Sequence, residues 1–203
     1  QEAFLYNYDM IGNQMVNAGA LHQILKPYKA HLITGHTHYN LNVVFNESLM
    51  EHNTAAVCGT WWKADVCLDG TPRGYGVYEV NGNDVKWYYK SSGYPKEHQF
   101  RSYPTGASKE HPSDIIANVW NWDKLWKVEW LEDDQLMGSM TQYTGLDPYA
   151  SVVCSDREKM VYTWITPRPT QHMFRATPRN KDARIAVKVT DRFGKEYIQT
   201  INP

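Results

Sequence analysis

Apolar residues recur at helical spacing near the start of the chain and at strand spacing through most of the rest. Between positions 18 and 25 they are three or four residues apart, which predicts a helix that ends at Pro27. The apolar segment 31–34 follows and is bounded by Gly35. A short apolar run that stops at a glycine is typical of a buried strand leading into a loop.

Beyond Leu41 the pattern is that of β-strands. Apolar runs predict strands at 42–45, 55–58, 76–80 and 85–89. The last two flank Asn81-Gly82-Asn83-Asp84, and an Asn-Gly pair between alternating segments is a strong signal for a hairpin. A helix, a strand, a loop and a strand meander together predict the second half of a layered α/β sandwich.

Glycine and proline interrupt the pattern after Ser91, where no periodicity survives among the polar residues, and this predicts a linker at 96–113. Short strands are then expected at 115–120, 126–130 and 185–189, with turn residues between them. Their spacing favours an all-β sandwich of about 90 residues, similar in size to an immunoglobulin-like domain. The predicted organisation is residues 1–95, the linker 96–113, and a β-sandwich at 114–203.

Composition excludes several classes of function. The 203 residues carry 21 Lys and Arg against 22 Asp and Glu, so no excess charge points to nucleic acid or an anionic membrane. No apolar run is long enough to span a membrane. Three cysteines allow at most one disulfide, and whether Cys58 and Cys67 pair is left open.

Aromatic residues are the most unusual part of the composition, with 14 Tyr and 8 Trp against 5 Phe. Four tryptophans lie close together in the predicted sandwich, at positions 120, 122, 126 and 130. They are expected to form its core. Two exposed coplanar rings would instead indicate a surface for stacking on sugars.

The motif that carries chemistry is Gly35-His36-Thr37-His38, directly after the first predicted strand. In an extended backbone, residues i and i+2 point to the same side, so both imidazoles are expected to face one cleft. Imidazole suits Zn, Fe and similar ions, and two-metal esterases hold such ions about 3.5–4 Å apart. The alternative is an exposed or hydrogen-bonded histidine pair without a metal. The remaining histidines lack partners at ligand spacing and are assigned structural roles: His22, His31, His52, His98, His111 and His172.

This motif resembles the last metal motif of the calcineurin-like metallophosphoesterases. Residues 59–62 and 69–77 are similar to the strands that follow it in bacterial members, and residues 115–201 resemble the β domain appended in Bacteroides-type bacteria. The resemblance implies an α/β sandwich half followed by an all-β immunoglobulin-like sandwich. It implies that His36 ligates one ion and His38 the other, in an enzyme that holds two divalent ions, Mn, Fe or Zn, and acts on phosphate esters.

The other motifs of that family are not found in this chain. Asp-x-His, Gly-Asp-x-x-Asp and Gly-Asn-His are missing, and family order places them upstream of Gly35. No catalytic residue is therefore assigned here, no tightly bound metal is expected, and the missing N-terminal half of the domain is the expected partner. The chain alone is predicted to be inactive.

Two further residues are candidates for substrate binding. Arg73 can pair with phosphate oxygens, and the Trp61 ring can stack on a base or a sugar. For Trp61 and Trp62 the alternative is packing, with one ring facing in and the other out on a strand. For Arg73 the alternative is a solvated turn residue. A non-catalytic β module that docks a catalytic domain or a glycan is the second hypothesis for the chain. Relatives with the appended domain suggest the periplasm or cell surface.

Overall fold

The computed structural model describes residues 15–180 and 182–201, in which strands far outnumber helices. The first part contains α1 (Ala18–Leu25), β1 (Ala30–Thr34), β2 (Leu41–Val44), β3 (Leu49–Asn53), β4 (Gly74–Asn81) and β5 (Asp84–Ser91). The second part contains β6 (Arg101–Tyr103), β7 (Ile115–Asn118), β8 (Lys127–Glu132), β9 (Gln135–Ser139), β10 (Thr141–Gly145), α2 (Pro148–Ser155), β11 (Thr170–Ala176), β12 (Ile185–Thr190) and β13 (Glu196–Thr200).

A small mixed sheet in the order β1-β3-β2 follows helix α1. β1 is parallel to β3, from Ala30 opposite Leu49 to Thr34 opposite Asn53, and β2 is antiparallel to β3. The predictions of helix α1 and strand β2 are confirmed. A strand at β1 is confirmed too, but the prediction that it is buried is wrong, because Ile33 is 60% exposed. The strand predicted at 55–58 is wrong, because those residues lie in coil and a turn. The strand of this region is β3, which starts earlier and contains Glu51, His52 and Asn53, polar residues that hide its alternation.

Two histidines pair inside this sheet. His52 Nδ1 lies 2.9 Å from Asn42 Oδ1, and His52 Nε2 lies 2.8 Å from His31 Nδ1. Asn42 donates from Nδ2 to Asn121, which leaves Oδ1 as an acceptor. His52 therefore donates from Nδ1 and accepts at Nε2, so its ring is neutral.

Acid is expected to destabilise the protein through His52. Burial first, then the charges of His31 and Arg192, lowers the pKa of His52 from 6.5 to about 3. As pH falls through 6.5 the unfolded chain takes up a proton that native His52 does not, so the free energy of unfolding decreases toward pH 3. Between pH 6.5 and 5 the loss from this residue is at most about 2 kcal/mol.

Urea unfolding at two pH values, near 7 and near 5, measures this effect, with His52→Gln as the comparison. The variant should show a smaller loss on acidification, although not zero, because burial also lowers the pKa of His98 to about 4. An identical pH dependence in both proteins would contradict the assignment.

The predicted hairpin is confirmed as β4 and β5, paired from Gly74 opposite Ser91 to Asn81 opposite Asp84. Gly82 begins the two-residue turn with φ 59°, a conformation that glycine adopts without strain. The turn between β8 and β9 is built differently. Asp133 and Asp134 both have positive φ, at 49° and 65°, which is the pattern of a type I′ turn.

Two four-stranded antiparallel sheets enclose the largest apolar cluster of the described residues. Their strand orders are β10-β11-β7-β6 and β13-β12-β8-β9. Side chains from both sheets meet in this core, among them Ile115, Phe174, Val128 and Val187. Trp120, Trp126 and Trp130 are at most 7% exposed, and Trp122 packs against the core. The core role is confirmed for Trp122, Trp126 and Trp130, whereas Trp120 is buried in a separate cluster with Ala55, Cys67 and Tyr89. The exposed rings that sugar stacking needs are not found among these four, so that alternative is wrong.

Strand β6 lies inside the segment 96–113, where a linker is predicted. It pairs with β7 from Arg101 opposite Asn118 to Tyr103 opposite Ile116. Part of this segment is therefore the edge strand of the sheet β10-β11-β7-β6. The division into residues 1–95, 96–113 and 114–203 stays a prediction.

All three cysteines are free thiols: Cys58 is half-buried, and Cys67 and Cys154 are buried. The second helix, α2, is not predicted from the sequence. Asp147 caps it by accepting a hydrogen bond from the Ala150 amide at 2.8 Å, and Pro148 occupies its first turn. Asp-Pro before an apolar segment is a known start signal for a helix. In the described ranges, neither helix has the length and apolarity that a membrane span needs.

Candidate metal-binding loop and the buried network behind it

The loop 35–40 follows β1, but its backbone is not extended. His36 has φ 78° and His38 has φ 59°, so both lie in the left-handed region. The prediction that both imidazoles face one cleft assumed the i to i+2 geometry of a strand. That assumption is wrong, because the backbone of the loop is not extended. Histidine is among the residues that tolerate this region, although an L residue there is strained by about 1–2 kcal/mol.

His38 is held by the segment that follows β3. Its Nδ1 lies 3.3 Å from the carbonyl oxygen of Gly59 and 3.8 Å from Cys58 Sγ. A backbone carbonyl can only accept, so Nδ1 carries the proton and Nε2 keeps its lone pair. Metal-ligating histidines commonly donate their second ring nitrogen to such a carbonyl. His38 is therefore in the tautomer that a ligand through Nε2 requires.

His36 is exposed to solvent at the outer end of the same loop. Within the described residues it forms no hydrogen bond or ion pair, so its ring is not fixed by a neighbour. In the same part of the chain, no group of three or more His, Cys, Asp or Glu side chains is arranged to hold a metal ion. The loop itself can supply two imidazoles.

The turn 57–62 places an aromatic ring against His38. The Trp61 ring stacks on the His38 ring with centroids 4.5 Å apart and planes 23° from parallel. Trp61 and Trp62 have φ 48° and 63° and are 37% and 71% exposed. The strand geometry assumed for the packing alternative is wrong, because both residues lie in a turn, but Trp61 does pack against neighbouring rings and is the less exposed of the two. Trp164 meets Trp61 edge-on at 4.7 Å.

The Cβ atom of Arg73 lies beside Gly59 of this turn. A Cβ added to Gly59, which has φ 53°, would lie 3.3 Å from Arg73 Cβ and 2.7 Å from the Ala64 carbonyl oxygen. Gly59 thus lies between His38 and Arg73, and a side chain there would push the turn away. Arg73 is exposed, and its amide donates to the Asp65 carbonyl at 2.8 Å. The turn therefore contacts His38 through Gly59 and Trp61 and lies beside the Cβ of Arg73.

A buried carboxylate, Asp69, ties the histidine loop to the rest of the molecule. Asp69 is 1% exposed and accepts from the Asn40 amide at 2.9 Å. It also accepts from the Thr71 amide at 3.0 Å and the Thr71 hydroxyl at 2.8 Å. Asn40 Nδ2 donates to the Trp120 carbonyl at 2.6 Å. The loop is thus anchored two residues after His38.

His172 on β11 faces Asp69 across this network. Its Nε2 lies 3.2 Å from Asp69 Oδ2 and its Nδ1 lies 2.6 Å from Asn118 Oδ1. Asn118 Nδ2 faces two acceptors, the Asp69 carbonyl and Asp147 Oδ2, at 3.1 and 2.8 Å, which fixes the orientation of the amide. Both ring nitrogens of His172 therefore lie next to side-chain oxygens that can accept a hydrogen bond.

Asp147 completes the network from the start of α2. It is fully buried and accepts from Tyr103 at 2.7 Å as well as from Asn118 and the Ala150 amide. Burial, with the negative charge of Asp147, raises the pKa of Tyr103 far above its usual range, so the phenol stays a donor. Arg101 lies 4.0 Å from the same carboxylate.

Sequence reasoning missed this network. Asp69, Asn118, Asp147 and His172 are far apart in the chain and match no metal or catalytic spacing. The one useful signal was local: Asn118 and His172 are polar residues inside apolar strand segments. Buried polar groups need partners, so such residues indicate a network, but not which residues form it.

Comparison with known proteins identifies the family. A family model described as the C terminal of calcineurin-like phosphoesterase matches residues 51–197. No curated protein and no solved structure matches the chain. The family match begins on β3, after the histidine loop, and covers more than half of the chain, through the hairpin and both four-stranded sheets to β13. It confirms the family that the sequence resembles: the chain belongs to the C-terminal region of the calcineurin-like phosphoesterases.

Proposed function

We propose that this chain is part of a metal-dependent phosphoric-ester hydrolase and contributes the last metal motif of its active site. The observation that carries the proposal is the hydrogen bond between His38 Nδ1 and the Gly59 carbonyl, which leaves Nε2 free for a metal. The family match supports the class of reaction, since its members act on phosphate esters.

The donor set fits divalent ions such as Mn, Fe or Zn. His36 is proposed as a ligand to one ion and His38 to the other, with the remaining ligands supplied by the N-terminal half of the phosphoesterase domain. When bound, such ions lower the pKa of water and neutralise phosphoryl charge. Two imidazoles are too few for a tight site, so this chain alone is expected to bind metal weakly and to be inactive.

Trp61 and Arg73 are proposed to bind the substrate. Arg73 is exposed and follows the turn that contacts His38, and a guanidinium can pair with phosphate oxygens. The Trp61 ring, stacked on His38 and partly exposed, is proposed to contact the group attached to the phosphate. Neither Trp61 nor Arg73 is proposed to contact a reacting atom.

The surface of the first part supports a partner that covers it. Helix α1 has no buried residue, and Ile24 and Ile33 are 66% and 60% exposed. Among the described residues, β1 pairs on one side only, with β3. We propose that the N-terminal half of an α/β sandwich covers this surface.

Two further proposals rest on the family resemblance. The second part of the chain is immunoglobulin-like, and the protein is of the Bacteroides type and is located in the periplasm or at the cell surface.

The test is hydrolysis of 4-nitrophenyl phosphate with added Mn²⁺ or Zn²⁺. The chain alone should show no turnover, whereas a protein that also includes the upstream metal motifs should be active. In that active protein, His38→Ala should lower kcat by more than about 100-fold, since loss of a ligand exceeds the 10–100-fold typical of its supporting groups. His111→Ala, remote from the loop in sequence and packed against Tyr143, is the control. Full activity in His36→Ala and His38→Ala would overturn the proposal.

A further inference from the structure

A cavity of about 580 Å³ opens at the other end of β1 from the histidine loop. Ala30, the first residue of β1, lines it, whereas the loop follows Thr34. The walls come from the turn between β2 and β3, from β5, and from two loops of the second part near residues 124 and 192. The volume lies within the range of about 300–1,000 Å³ that is usual for small-molecule sites.

Basic side chains outnumber acidic ones around this cavity. Lys29, Lys124 and Arg192 line it, and Glu47 is the acidic lining residue. Within residues 15–180 and 182–201, neither Lys29 nor Lys124 forms an ion pair, and both are exposed. The chain as a whole has a net charge of −1, so this positive cluster is a local feature.

Arg192 is held in place before any ligand arrives. Its Nε lies 2.9 Å from Asp123 Oδ2, and its guanidinium lies over the Trp87 ring, 4.8 Å from the centroid. Only 15% of the Arg192 side chain is exposed. A guanidinium fixed by a carboxylate and an aromatic face loses little further rotational freedom on binding.

Much of the remaining wall is apolar, although the polar residues Asn46 and Ser48 also line the cavity. Leu49, Met50 and Trp87 are at most 6% exposed and form a buried floor, whereas Leu125 and Phe193 are 58% and 39% exposed. Exposed apolar side chains beside a concave surface are typical of a ligand site. An occupant with a flat apolar body would cover Leu125 and Phe193.

The pKa of His31, which also lines the cavity, responds to the positive charges nearby. Its pKa is lowered by burial first, and then by the positive charges of Lys29 and Arg192. Two cations therefore act on one point of the cavity wall. An anion placed there is attracted by the same charges.

We propose that this cavity binds a small organic anion, with its negative group between Lys29 and Lys124 and a flat apolar body against Leu125 and Phe193. The proposal is independent of the metal site. The probe is naphthalene-2-sulfonate, which is not an ester and cannot be hydrolysed by a phosphoesterase. Sulfate and 2-naphthol, which carry only the charge or only the ring, are the matched comparisons.

Calorimetric titration at low salt should detect the sulfonate and give an affinity at least about tenfold above that of either comparison. Lys29→Gln with Lys124→Gln should weaken binding by about tenfold, and Leu125→Ser should weaken it without changing its salt dependence. Lys63→Gln with Lys109→Gln removes the same charge from exposed residues outside the cavity lining and should leave binding unchanged.

Two results would overturn the proposal. One is equal loss of binding in both double lysine variants, which would show attraction by net charge alone. The other is binding of 2-naphthol as tightly as the sulfonate, which would show an apolar site.

Amide NMR spectra give a separate test of the location. Shifts at Leu125 and Phe193 should accompany binding, and shifts confined to other surfaces would contradict the proposal.

Discussion

Replacing Gly70 with alanine should destabilise the protein by about 3 kcal/mol or more, far beyond the usual effect of adding a methyl group. Gly70 has φ 83°, and a Cβ there would overlap the Cβ and Cγ atoms of buried Asp147. Asp147 cannot move away, because Asn118, Tyr103 and the Ala150 amide hold its carboxylate. The overlap must therefore displace the network itself.

Gly93→Ala is the matched control for the backbone. Gly93 has φ 84°, nearly the same as Gly70, but nothing lies within 4 Å of the position that a Cβ would take there. Gly93→Ala should therefore lower the free energy of unfolding only by the conformational penalty of an L residue at positive φ, about 1–2 kcal/mol. Urea unfolding of both variants separates the two effects. Equal losses would mean that the contact with Asp147 adds nothing to the strain at positive φ.

Replacing Asp69 with alanine should destabilise the protein by about 3–5 kcal/mol, because it leaves the buried His172 ring without its carboxylate partner and removes the acceptor of several buried donors. The Asn40 amide and both donors of Thr71 would lose their acceptor as well. A loss of this size is a large share of the roughly 5–15 kcal/mol that stabilises a typical domain. Thermal and urea unfolding measure it, with Asp84→Ala at the exposed start of β5 as the control.

A double-mutant cycle of Asp69→Asn and His172→Gln tests the pair itself. Residues in one buried network should show an interaction energy of about 0.5–3 kcal/mol. Amide hydrogen exchange at Asn40 should accelerate in Asp69→Asn, since its hydrogen bond to the carboxylate is weakened. Additive losses with unchanged exchange at Asn40 would show that Asp69 does not anchor the histidine loop.

Local patterns predicted most strands of the fold. The hairpin of β4 and β5 follows from alternation around Asn81-Gly82, and β12 follows from alternating Ile185, Val187 and Val189. These segments are half-buried, so one face is apolar and the period is visible. β3 was missed because Glu51, His52 and Asn53 are polar although His52 and Asn53 are buried. Their partners come from other parts of the chain.

The candidate site was predictable in residue type but not in geometry. The two histidines and the glycine before them stand out in the sequence, yet their backbone conformation does not. Positive φ at His36 and His38 depends on anchors at Gly59 and Asp69, which lie more than 20 residues away. Sequence spacing alone cannot show which distant residue fixes a loop.

The most direct measurement of the central claim is the paramagnetic effect of Mn²⁺ on the histidine resonances of this chain. We expect low Mn²⁺ concentrations to broaden the ring signals of His36 and His38 first, and His38→Ala to remove the effect on His36 or weaken it strongly. Early broadening at His31 and His52 instead, or no selective broadening among the histidines, would contradict a metal role for the loop.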